Sequence, residues 1–167
     1  MTIKNFEAKT PWCNTFGGLM IYPPTEFSAQ IEGTETIADL VNAIVSAIEY
    51  KVPSELRDKL NRRVTKDVYI NVPYVTSLVD EHAGIGAFST HQTNGGIDSR
   101  GQRSARYLST VYAFKREGNA VRGTRLQYEE QNTEYDYCLD SIENNVLKYR
   151  RVEKNGEHTF THDLTTL

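Results

Sequence analysis

Four short turn signals, REGN (116–119), EEQNT (129–133), ENN (143–145) and KNGE (154–157), recur about a dozen residues apart in the last third of the chain. Gly and Asn supply the backbone conformations that tight turns need, so the runs between them read as strands. Five follow, at roughly 104 to 116, 120 to 130, 134 to 142, 146 to 153 and 157 to 164. Connections this short force antiparallel neighbours, and the simplest topology is a meander. Alternation agrees: Leu108, Tyr112 and Phe114 share one face of the first run, Tyr135, Tyr137 and Leu139 one face of the third, and Phe160 and Leu164 one face of the last.

Further upstream the period changes. Ile37, Leu40, Val41, Ile44, Val45 and Ile48 recur at steps of three and four, the spacing of an amphipathic helix. Thr36 with Asp39 three residues on resembles a capping box and sets its start. A second helix is expected from Ser54 to Arg63, with Leu56 and Leu60 inward and Arg57, Lys59, Arg62 and Arg63 outward. DVYINVPYV and IGAFST then read as strands, with Pro73 marking an edge or a bulge in the first. The expected fold is α+β, one domain over 1–167. A helical hairpin at about 36–64 would pack on a curved antiparallel meander of five or more strands at about 67–164, with closure into a small barrel as the alternative.

The 167 residues are enough for one domain with a core of its own. A hydrophobic fraction of 38% with 10% aromatics excludes intrinsic disorder. The net charge of -3 gives no general attraction to nucleic acid or to an anionic membrane, so double-stranded nucleic acid and membrane are not expected partners. Cys13 and Cys138 show neither disulfide-framework nor zinc spacing, and no cofactor or metal is expected. The first residues lack the pattern of a signal peptide, and IADLVNAIVSAI is too short and too polar to span a bilayer, so the expected location is the cytoplasm.

The stretch AFSTHQTNGGIDSRGQRSARY, residues 87–107, breaks the strand pattern. It reads as a long polar loop over 91–107 with Gly95, Gly96 and Gly101 for close backbone approach and Arg100, Arg103 and Arg106 as planar donors for phosphate or carboxylate. His91 would add a hydrogen-bonding or pH-sensitive group and Tyr107 an aromatic surface. It is not a P-loop, because Gln102 replaces the required Lys and a strand follows where a helix is needed. His158 and His162 lie four apart in a strand, roughly 13 Å, and cannot share a metal. His82 beside Asp80 and Glu81 is the remaining metal candidate, without a spacing rule behind it.

HQT at 91–93 is similar to one half of the motif of two-histidine phosphoesterases, but neither HTF nor HDL completes the second half. STH at 89–91 and QYE at 127–129 resemble elements of ADP-ribosyltransferases, which would imply that Glu129 orients the nicotinamide ribose; the final Ser of that pattern is His91 here.

Three function classes follow. The first is a non-catalytic binding protein that holds an anionic small ligand, or an acidic protein surface, through His91, Arg100, Arg103, Arg106 and Tyr107. The second is an enzyme acting on a phosphoester or nucleotide, a hydrolase or transferase, with His91 and Glu129 as acid and base. The third is a viral-type assembly or inhibitor protein that docks through a sheet edge or the basic helix face.

Overall fold

A computed structural model of the chain describes residues 3–15, 18–49, 69–97, 103–131 and 136–167; side chains are described within 3–11, 22–49, 75–91, 108–128 and 137–167. Four strands come first, β1 (Lys4–Lys9), β2 (Trp12–Thr15), β3 (Gly18–Ile21) and β4 (Glu26–Gln30), followed by helix α1 (Ile37–Glu49). Then come β5 (Tyr69–Asp80), β6 (Ile85–Ile97), β7 (Arg103–Glu117), β8 (Ala120–Gln131), β9 (Asp136–Glu143), β10 (Val146–Glu153) and β11 (Gly156–Asp163). A short 3-10 turn at Leu164–Thr166 closes the chain.

Several expectations need correction. The helical hairpin is replaced by one helix among the described residues, preceded by four strands; the expected second helix, 54–63, lies outside those residues. Nor is there one curved meander or, among the described residues, a closed barrel. The strands form a six-stranded sheet in the order β1-β4-β8-β7-β6-β5, a three-stranded sheet β11-β10-β9 and the β2-β3 pair. The meander divides after Gln131, because β9 pairs with β10 and not with β8. β1 and β4 escaped notice because each carries only two inward apolar residues, Phe6 and Ala8 in one, Phe27 and Ala29 in the other.

The long loop is corrected as well. Residues 91–97 belong to β6 and 103–107 to β7, paired without a break from Ile85↔Lys115 to Ile97↔Arg103, so the connection shrinks to 98–102. Backbone pairing holds these arms together, and a polar, glycine-rich sequence shows no alternation to betray it.

The six-stranded sheet is buried on both faces. On one, Ile37, Leu40, Val41, Ile44, Val45 and Ile48 of α1 pack against Phe27, Phe88, Tyr112, Phe114 and Val121. On the other, Ile85, Ala87, Val111 and Ala113 meet Tyr137, Leu147 and Tyr149 of the smaller sheet and Leu164 of the 3-10 turn. Alternation along β7 deals residues to both cores, so Leu108 through Thr110 and Val111 through Phe114 are all buried. Beneath α1, the register sets Gly86, Phe114, Gly123 and Phe27 side by side across β6, β7, β8 and β4. Each ring lies flat over a neighbouring glycine: a Cβ built on Gly123 would sit 2.0 Å from Phe27 Cζ, and one on Gly86 2.4 Å from Phe114 Cζ.

α1 is anchored at its start by a distant turn. Thr36 Oγ1 accepts from Asp39 N at 3.1 Å, half of the expected capping box. The Glu81 carboxylate, from the β5–β6 turn, accepts from Ile37 N at 2.9 Å and Ala38 N at 3.0 Å. It thereby supplies both acceptors and a negative charge at the positive end of the helix. Arg116 fixes the preceding segment by donating to the Gly33 and Glu35 carbonyls, and to Gly118 O at 3.3 Å.

Candidate functional site

The apolar core of the large sheet ends in a polar seam. Among the described residues Ser89, Thr90, Ser109 and Thr110 are its buried polar residues, all on the adjacent inner strands β6 and β7. The Thr90 and Thr110 hydroxyls bond each other on the α1 face. On the opposite face Ser109 Oγ and His91 Nδ1 are 3.0 Å apart. A buried hydroxyl must find a partner, so this pairing satisfies Ser109 and fixes the plane of the imidazole.

Register extends this row. Tyr74 of β5 stands opposite His91, and Glu129 of β8 opposite Ser109. His91 and Glu129 therefore flank Ser109 on adjacent strands, with backbones roughly 10 Å apart at ordinary strand spacing. The sequence proposed both residues but had no means to find Ser109 between them, since only strand pairing brings 91, 109 and 129 together.

Beyond the seam the two central strands continue. Tyr107 stands opposite Thr93, Arg106 opposite Asn94 and Arg103 opposite Ile97. Because that ladder is unbroken, positions 103, 107 and 109 fall on the face of His91, while position 106 falls on the other. Arg100 lies outside the described residues. By register alone, positions 91, 103 and 107 share one face and position 106 the other.

A second polar group lies between the sheets. Tyr149 Oη donates to Gln127 Oε1 at 3.2 Å and stands 3.0 Å from His162 Nε2, while the Tyr149 ring stacks on His162 and Phe160. Burial pushes the Tyr149 phenol up to about 12, and burial, offset by the nearby Gln127 amide, does the same for Tyr137. Alternation in VLKYRRV foretells that Tyr149 points inward; its link to Gln127 joins two sheets and has no sequence signal.

The remaining candidates are occupied structurally. His82 lines a shallow cleft of about 370 Å³ with Ile37, Glu81, Arg116 and Asn119, but Glu81 caps α1 and Asp80 Oδ1 accepts from Ala83 N at 3.1 Å. His158 Nε2 faces Glu153 Oε2 at 3.6 Å, and His162 is turned to Tyr149. No group of three metal-ligating side chains occurs among the described residues, and no helix there is long and apolar enough to cross a membrane. Comparison of the chain with protein-family models, with curated proteins and with solved structures gives no match.

Proposed function

We propose that the protein is a binding protein that takes an anionic small ligand on the β6–β7 arm, at the face shared by His91, Tyr107 and Arg103. The observation that supports this reading is the unbroken β6–β7 ladder, which sets positions 91, 107 and 103 on one face, with 107 two residues and 103 six residues, roughly 20 Å, along the strand from the hydrogen-bonded Ser109–His91 pair, a span that an extended anion such as a nucleotide bridges. A guanidinium offers paired donors to a phosphate or carboxylate, and an imidazole whose plane is fixed through Nδ1 adds a group that can carry positive charge.

Arg106 provides the control, because its register position alternates with those of 103 and 107. Calorimetric titration with inorganic phosphate, nucleotides and dicarboxylates should show binding to the wild type that Arg103→Ala and His91→Ala weaken by about tenfold or more. Arg106→Ala should stay within about twofold of the wild type. Equal losses in Arg103→Ala and Arg106→Ala would refute the one-face reading, and no binding of any anion would refute the ligand class.

One observation favours a second reading, a phosphoester- or nucleotide-acting enzyme: His91 and Glu129 flank Ser109 in the register. An acid and a base on either side of one bound group suit proton transfer at both ends of a displacement. Turnover of nucleotides or phosphomonoesters by the wild type, abolished in both His91→Ala and Glu129→Gln, would decide for it over simple binding.

A further inference from the structure

The edges of the sheets are treated unequally. Sheet edges carry unpaired N–H and C=O groups, and proteins blunt them with bulges, prolines, charge or brevity. β1, one edge of the large sheet, has a register break between Lys4 and Glu7 with Asn5 at φ 53. β5, the other edge, has Pro73 and a break between Asn71 and Tyr74. β9 carries an extra residue where its pairing with β10 shifts, and it lies against β5, β6 and β7. β2 and β3 have four residues each.

β11 is the least protected of these edges, and charge, at Glu157 and Asp163, is the one such device it carries. It is the outer strand of the small sheet and pairs with β10 over eight consecutive positions without a shift. It contains no proline and no lysine, and Gly156 through Thr159, Thr161 and Asp163 are exposed. Asn144 and Asn145, at φ 51 and 62, form a two-residue turn that makes Glu143 and Val146 a hydrogen-bonded pair. The alternation of bonding along β10 then directs Leu147, Tyr149 and Arg151 to His162, Phe160 and His158. The N–H and C=O groups of Glu157, Thr159 and Thr161 consequently point away from β10, toward the open edge.

We infer that β11 is a dimerisation edge, and that two copies of this chain pair there antiparallel about a two-fold axis through Thr159. A two-fold contact must be self-complementary, and this register opposes no like charges. With Thr159 opposite its mate, Glu157 faces Thr161, His158 faces Phe160, and Glu157, Thr159 and Thr161 all meet in hydrogen-bonded pairs. A two-fold through Phe160 would instead set Glu157 against Asp163, two carboxylates directly opposed. Pairing through Thr159 joins both small sheets into one six-stranded sheet and leaves the cross-strand ion pairs of Arg150 with Asp140 and Glu157 in place. An edge contact buries little surface, so the dimer is reversible and responds to concentration.

Sedimentation velocity over a wide concentration series tests this, together with residue-resolved amide exchange. The wild type is expected to pass from 19.0 kDa toward twice that mass, with the amides of Glu157, Thr159 and Thr161 slowing in step. Thr159→Pro, which deletes an outward N–H, and Thr159→Lys, which sets two like charges on the axis, should each raise the dimer dissociation constant by at least about tenfold. Thr159→Lys alters only an exposed side chain, so it reports even if the proline variant folds poorly. A wild type that stays at 19.0 kDa throughout, or a Thr159→Lys variant that dimerises as tightly as the wild type, overturns the inference.

Discussion

The glycine at 123 shows how closely the core is specified. Phe27 lies over it from the adjacent strand, and an added methyl would meet the ring at 2.0 Å, far inside contact distance. Phe27 is buried among Phe6, Phe88 and Tyr112 and has no free direction in which to move. Gly123→Ala should therefore destabilise the fold by about 1–3 kcal/mol, read from the midpoint of urea unfolding at unchanged slope. Gly118 is the contrast, with open space where a side chain would go but a φ of 60 that only the turn requires. Sequence marks both as glycines and cannot tell them apart, because the ring over Gly123 comes from a strand almost a hundred residues earlier. Ser109 was missed for the same reason: nothing local distinguishes it from other serines until His91 is placed across from it.

At the scale of elements, α1 and the last strands were the most readable. The inward face of α1 comprises the six apolar residues that its periodicity names, and the strands from 103 onward begin and end within two residues of the turn-delimited runs. Pro73 also marked what it should: β5 is an edge strand, and its pairing shifts beside that proline. In these elements the information is local, in a period or a turn. The start of α1 is different, since two of its free N–H groups are satisfied by Glu81, more than forty residues away. Glu81→Ala should cost about 1 kcal/mol, and Glu81→Gln less, because the amide keeps an acceptor and loses only the charge. Equilibrium denaturation of the two variants separates the hydrogen bonds from the interaction with the helix dipole.

On the scale of the whole molecule, the two sheets meet through Tyr137 and Tyr149, and that makes their union sensitive to alkali. Both phenols ionise in the unfolded chain near the ordinary value of about 10, but in the folded protein only near about 12. The folded state holds more protons in that window, so stability is complete below about pH 10 and falls as pH rises toward 12. The loss is on the order of 2 kcal/mol for each phenol, and an ultraviolet difference titration should show Tyr137 and Tyr149 titrating late, together with the more deeply buried Tyr112 of the other core, as the protein unfolds. The division of the meander into two packed sheets was not legible beforehand. It depends on β9 choosing β10 over β8, a contest between alternatives that look alike in sequence.

The pairing of β4 with β8 carries a consequence for synthesis. Residues 26–30 form their ladder with 120–124, so the first strands emerge from the ribosome long before the strand they join exists. At about 5–20 residues per second the delay is roughly 5–20 seconds. During that interval the edge of β4 that β8 will occupy has no partner, although β5 through β7 can already zip in order from short turns. The nascent chain therefore folds from its middle outward, with β1 and β4 waiting for β8 before they join the sheet.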